Sequence, residues 1–158
     1  MSSPVIADVL PGNPGPELII GSGCYFPENS ANKLGKWFKI LRLRDGKLLQ
    51  TLVTPTCSSS SAAVGDIDED GRLEVVAIVN GSKSVGGSGQ SRLMAWKATD
   101  PNPLWSTVPK VQGQNDPFAG DFKSPIIADL DGNGSLEVIV TNGVGLAIFS
   151  GKDGTALT

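Results

Sequence analysis

Two short stretches of this chain crowd carboxylates together. Residues 66–74 read DIDEDGRLE and residues 129–137 read DLDGNGSLE. Like charges this close repel, so either water solvates them on a turn or a cation sits among them. Asp66, Asp68 and Asp70 take positions 1, 3 and 5 of the first stretch. Position 7 offers the carbonyl of Arg72 and position 9 the carboxylate of Glu74. The second stretch offers Asp129, Asp131, Asn133, the Ser135 carbonyl and Glu137. Gly71 and Gly134, at position 6, permit the sharp turn such a loop needs. Oxygen donors at alternating positions around a glycine turn suit a hard cation such as Ca²⁺. No soft donor is offered, which argues against zinc or copper. An EF-hand would need a glutamate at position 12 between helices, whereas position 12 is Ala77 in one loop and Val140 in the other. The alternative is a solvated acidic hairpin.

The elements that must hold these loops are written three times. SPVIAD (3–8), SAAVGD (61–66) and SPIIAD (124–129) align without gaps, with Asp8, Asp66 and Asp129 in register. Each is followed by a turn and an apolar run: ELIIGSG (17–23), LEVVAIVNG (73–81) and LEVIVTNG (136–143). A period near 60 residues makes each copy a unit of several strands. WFKILRLR (37–44), SRLMAWKA (91–98) and VGLAIFSG (144–151) continue the pattern. Turns rich in Asp, Gly or Pro then lead to KLLQTLV (47–53), LWST (104–107) and TALT (155–158). Each copy therefore reads as a four-stranded antiparallel meander. Residues 75–79 and 138–140 are apolar at consecutive positions. Neighbouring strand side chains point to opposite faces, so both faces of these strands are expected to be buried. Small residues precede each aligned aspartate, which suits an innermost strand. The expectation is an all-β chain of three four-stranded blades of a β-propeller, over residues 3–53, 61–107 and 124–158. A three-sheet solenoid or an irregular sandwich is the rival.

DxDxDGxxE between two strands, recurring at about this period, resembles the FG-GAP/VCBS repeats of integrin-α-like propellers, and the likeness covers the whole chain. The resemblance implies that each loop joins the first two strands of a blade and binds Ca²⁺ structurally. One site would be Asp66, Asp68, Asp70, the Arg72 carbonyl and Glu74. The other would be Asp129, Asp131, Asn133, the Ser135 carbonyl and Glu137. The first copy departs from the pattern. It places Leu10 at position 3 and spends one more residue between Asp8 and Glu17. Its prolines are expected to hold that turn without metal. The resemblance also places a ligand on the edge opposite the calcium loops. Long segments fall there, carrying Tyr25, Phe26, Glu28, Asn115, Asp116 and Phe118. The alternative is that these aromatics pin the loops to the blades.

Cys24 and Cys57 both fall on that second edge, so a disulfide is geometrically possible. It would close a 33-residue loop (57 − 24), worth about 3–4 kcal/mol. Two free thiols are the alternative. Calcium loops with a disulfide would imply an extracellular, cell-surface or periplasmic home. The start of the chain lacks the pattern of a signal peptide, which is expected of a cytoplasmic chain or of one written without its leader.

Composition narrows the function. The chain has 158 residues, net charge −3, a pI near 4.8 and no histidine. No basic patch suggests nucleic acid, and no apolar run reaches membrane-spanning length. Absence of histidine removes Ser/His and Cys/His catalytic pairs. The expected function is a non-catalytic, calcium-bound module for recognition or adhesion, with a glycan or protein ligand. The alternatives are a self-assembling structural subunit and the propeller part of a polysaccharide-degrading enzyme. Propellers close with roughly four to eight blades. Three blades therefore call for a partner, which would be further copies of the chain or the remaining blades of a longer one.

Overall fold

The computed structural model describes residues 3–24, 35–58, 60–81, 87–110, 123–142 and 145–157. Every regular element among them is a β-strand. The first sheet holds β1 (Val5–Ala7), β2 (Glu17–Gly21), β3 (Trp37–Arg42) and β4 (Leu48–Val53). The second holds β5 (Ala63–Gly65), β6 (Glu74–Val79), β7 (Arg92–Lys97) and β8 (Trp105–Thr107). The third holds β9 (Ile126–Ala128), β10 (Glu137–Thr141) and β11 (Leu146–Ser150). Each sheet is an open antiparallel meander in chain order.

The third repeat differs from the expected four strands. After β11 the chain turns at Gly151–Gly154 and returns along the sheet edge. It makes one bridge, Phe149 to Ala156, and the bonds Ser150 N–H to Thr155 O and Leu157 N–H to Ile148 O, both 2.8 Å. That pairing is too brief to count as a strand, so this sheet has three.

Consecutive apolar residues in β6 have the expected consequence, whereas of the apolar residues in β10 only Val138 and Val140 are buried and Ile139, on the other face, stays partly exposed. All six residues of β6 are buried. Val75, Ala77 and Val79 face one way and join Ile19, Phe38, Ile40 and Leu52 of the first sheet in one core. Val76 and Ile78 face the other way and join Val138, Val140, Ala147 and Phe149 of the third sheet in a second core. The second sheet thus lies between the other two, dry on both sides. Alternation along the strand, applied to a run with no polar residue, requires this.

The connector 54–60 does more than link two sheets. Thr54, Thr56, Ser58 and Ser60 are buried, and their hydroxyls are used. Thr54 Oγ1 donates to the Thr56 carbonyl (2.6 Å), and Ser60 Oγ donates to the Ile78 carbonyl at the end of β6 (3.0 Å). Cys57, in the same connector, is joined to Cys24 by a disulfide with a Cα–Cα distance of 5.3 Å. The bond ties the end of β2 to the passage between the first two sheets.

Trp105 fastens the second sheet to the third. Its indole N–H donates to the Gly151 carbonyl (2.8 Å). The Gly151 N–H in turn donates to the Leu136 carbonyl (2.9 Å). A Cβ at Gly151 would come within 2.4 Å of that carbonyl oxygen. Gly151→Ala is therefore expected to destabilise the protein by about 1–3 kcal/mol through overpacking. Trp105→Phe, which loses both the indole N–H and part of the ring packed at Gly154, should cost about 1–3 kcal/mol. Urea unfolding curves of both variants against the parent check these values.

Candidate metal centre

Each acidic stretch is the turn between the first and second strands of its sheet. In the second sheet that turn runs from Gly65 to Glu74 and is folded on its own carboxylates. Asp66 accepts the N–H groups of Asp70 and Gly71, both at 3.0 Å, and Asp70 Oδ1 accepts the Arg72 N–H (3.0 Å). Gly71 sits at φ 83°, a conformation glycine adopts freely. The third sheet repeats the construction. Asp129 accepts the N–H groups of Gly132 (2.7 Å) and Gly134 (3.0 Å). The Ser135 N–H goes to Asn133 Oδ1 (2.7 Å).

These turns gather carboxylates into two clusters. One oxygen each of Asp66, Asp68 and Glu74 lie within 4.8 Å of one another, and so do one each of Asp129, Asp131 and Glu137. Each set is close enough to share one metal ion. The residues expected at position 5 are engaged differently. Asp70 is turned towards Lys97, and Asn133 Nδ2 donates to Asp131 Oδ2 (3.0 Å). Arg72 and Ser135 lend their N–H groups to the turns.

The glutamate that closes each turn has a second task. Glu74 Oε2 accepts the Ile67 N–H (3.1 Å), and Glu137 Oε2 accepts the Leu130 N–H (2.8 Å). Glu17, in the divergent first repeat, does the same with Val9 (2.8 Å) and Leu10 (3.2 Å). All three glutamates are buried. In the first repeat the Asn13 side-chain amide donates to Glu17 Oε1 and also to the Gly15 carbonyl. An amide hydrogen there lies on the carboxylate that a cation would otherwise share. Prolines are expected to hold this turn without metal, and Asn13 adds two side-chain hydrogen bonds to it.

Two further residues went unseen in the sequence. Lys97 pairs with Glu74 across β6 and β7, and its Nζ sits 2.8 Å from Asp68 Oδ2 and 2.6 Å from Asp70 Oδ2. The matching partner of Glu137 is Ser150, which brings no charge. Among the described residues no salt bridge reaches Asp129, Asp131 or Glu137. Glu69 accepts a hydrogen bond from Ser135 Oγ (2.6 Å), linking the two acidic turns. It does so from a φ of 62°, a left-handed conformation that costs a non-glycine residue roughly 1 kcal/mol. The residue in its place in the other loop is Gly132, at φ 76°.

Charge in the first cluster is unevenly balanced. Burial, then the neighbouring Asp68, pushes Glu74 up from its ordinary 4.5 to about 7. Hydrogen bonds to Asp68 and Asp70 raise Lys97 further, and Lys97 in turn lowers Asp70. Asp68 Oδ1 remains buried with no hydrogen-bond partner among the described residues.

The opposite edge carries a different feature. Tyr25, Phe26, Glu28, Asn115, Asp116 and Phe118 lie outside the described residues. Within them, Thr56, Asn80, Gln90 and Arg92 line a cavity of about 390 Å³ at the far end of β6 and β7, next to Cys57. Its residue types gave no signal in the sequence, because they come together only through the β6–β7 pairing and the connector 54–60. No helix among the described residues is long and apolar enough to cross a membrane. No protein-family model matches the sequence, and a search of curated proteins finds no match.

Metal-free protein should show the Glu74 shift as a pH-dependent stability. Folded Glu74 holds its proton more tightly than the unfolded chain does. That contribution is complete below about pH 4.5 and is lost as pH rises through about 7. Urea unfolding in EDTA between pH 4.5 and 8 is expected to show the decline, and Glu74→Gln is expected to flatten it.

Proposed function

We propose that this chain is a propeller unit of the FG-GAP/VCBS kind. Its loops 66–74 and 129–137 each hold one structural Ca²⁺, and the unit serves as a non-catalytic recognition or adhesion module. The observation that carries the reading is the recurrence of one three-carboxylate cluster at the same turn of two sheets, each with a buried glutamate. The orphaned oxygen of Asp68 supports a cation in the first. Stacking of three meanders through two apolar cores supports the propeller arrangement. The cleft at Arg92, on the edge away from the acidic turns, is the place for a ligand rich in hydroxyl or carboxylate oxygens, such as a glycan. A disulfide supports an oxidising, extracellular or periplasmic setting.

The two cation sites are not equal in this reading. Lys97 already lies between Asp68 and Asp70, so an ion entering the first loop competes with a tethered ammonium. The 129–137 loop has no such competitor among the described residues and fills first. Calcium titrations by isothermal calorimetry are expected to show two steps. Asp131→Asn should remove the tighter step and Lys97→Gln should tighten the weaker one. At a calcium concentration one hundred times Kd, each site adds about 2.7 kcal/mol of stability. A melting temperature unchanged between calcium and EDTA, with no heat of binding, sinks the calcium assignment.

Recognition is tested separately. Binding on a glycan array, reduced at least tenfold by Arg92→Ala, is the expected result. Release of unsaturated sugars from a polyanionic polysaccharide by the unmodified protein would overturn the non-catalytic reading.

A further inference from the structure

The two outward faces of the stack are different surfaces, and each copies one half of a junction that is already made twice. Corresponding strand pairs set the equivalence. Val5 opposite Ile19, Ala63 opposite Val76, and Ile126 opposite Ile139 occupy the same place in the three sheets. Val5 and Ile19 pack into the core shared with the second sheet, and Val76 into the core shared with the third. Ile126 and Ile139 therefore lie on the face that meets a following sheet, and Ile126 is 56 % exposed.

The reverse faces follow the same rule. Val75 opposite Trp96 packs against the first sheet, and Val138 opposite Phe149 packs against the second. Their counterparts in the first sheet are Leu18 opposite Leu41, beside Ile6, which is 59 % exposed.

Two further series end in the same way. The residue after each aligned aspartate is Val9, Ile67 or Leu130. The first two are buried, and Ile67 lies beneath Gly151 of the next sheet. Leu130 is 49 % exposed. The residue at the place of Gly151 in the first sheet is Leu43, also exposed. A row of serines crosses the stack as well. The Ser3 N–H donates to Ser61 Oγ (2.8 Å), and the Ser61 N–H donates to Ser124 Oγ (2.9 Å). The row ends with exposed Ser124 on one side and exposed Ser3 on the other.

We propose that these open faces are the two halves of one junction, and that a second copy of this chain docks head to tail. The first sheet of one copy covers the third sheet of the next. Ile126, Ile139 and Leu130 then meet Ile6, Leu18 and Leu43, and the Ser124 N–H reaches the Ser3 hydroxyl of the neighbouring copy. The contact is heterologous, so copies close into a ring or continue as a chain. Covering both faces also removes apolar patches that a lone copy would leave in water.

The test is mass in solution by light scattering and sedimentation velocity, from micromolar to millimolar protein. The parent is expected to rise above the 16.4 kDa chain mass with concentration. Ile6→Lys and Ile126→Lys, at exposed positions on opposite faces, are each expected to stay monomeric alone. An equimolar mixture of the two should recover a dimer, because each supplies the face the other has lost. A parent that is monomeric throughout overturns the proposal, and that measurement stands even if a variant fails to fold. Ile6→Lys that still dimerises alone also overturns it, since third sheets would then pair with each other.

Discussion

A buried carboxylate at the base of each first turn governs this molecule. Glu17, Glu74 and Glu137 each reach back to the backbone N–H of the residue after the aligned aspartate. That bond closes the turn and fixes the register of the strands on either side. Burial of a charge is costly unless something compensates it. The three repeats use three means. Asn13 supplies an amide hydrogen to Glu17. Lys97 neutralises the aspartates around Glu74. Around Glu137 no protein cation is found among the described residues, and the turn is left with its charge. The three turns thus differ in how their charge is balanced, through these local choices and not through the motif.

Register then decides what each face can be. Once the glutamate sets which residues face forward, alternation assigns every other side chain in the sheet. Sheets with the same register stack in the same sense, which is how β6 comes to be buried throughout and Trp96 comes to lie against Phe38 across the first core. Nothing in the stack tells one junction from the next except the side chains that fill it. Gly151 lies against Ile67 and Gly154 against the Trp105 ring in the second junction, and Ala98 takes the place of Gly151 in the first.

Much of this was legible in the residues. Three aligned segments were enough for three antiparallel sheets, and five apolar positions in 75–79 for a strand dry on both faces. The same expectation for 138–140 fails at Ile139, because no further sheet covers that face among the described residues. Carboxylates at alternating positions located both clusters, since those residues are neighbours in the chain. What escaped depends on contacts between distant segments. Lys97 reaches Asp68 only because β7 pairs with β6, so no local pattern contains it. Ser135 meets Glu69 only because the two turns stand side by side in the stack. Buried hydroxyls in 54–60 carry no local signal, because a Ser/Thr-rich stretch reads the same whether water or a strand end satisfies it. The missing fourth strand of the last sheet reflects pairing too brief to form a ladder, which β-rich composition cannot reveal.

The three tryptophans happen to divide the molecule among themselves. Trp96 is sealed in the first core, Trp105 lies half-buried across the second junction, and Trp37 sits on the first sheet with the Lys39 ammonium 4.2 Å from its ring centroid. Each therefore emits from a different environment: a dry interior, a hydrogen-bonded seam and a charged, partly wetted face. The chain carries its own optical addresses, one for each level of its construction.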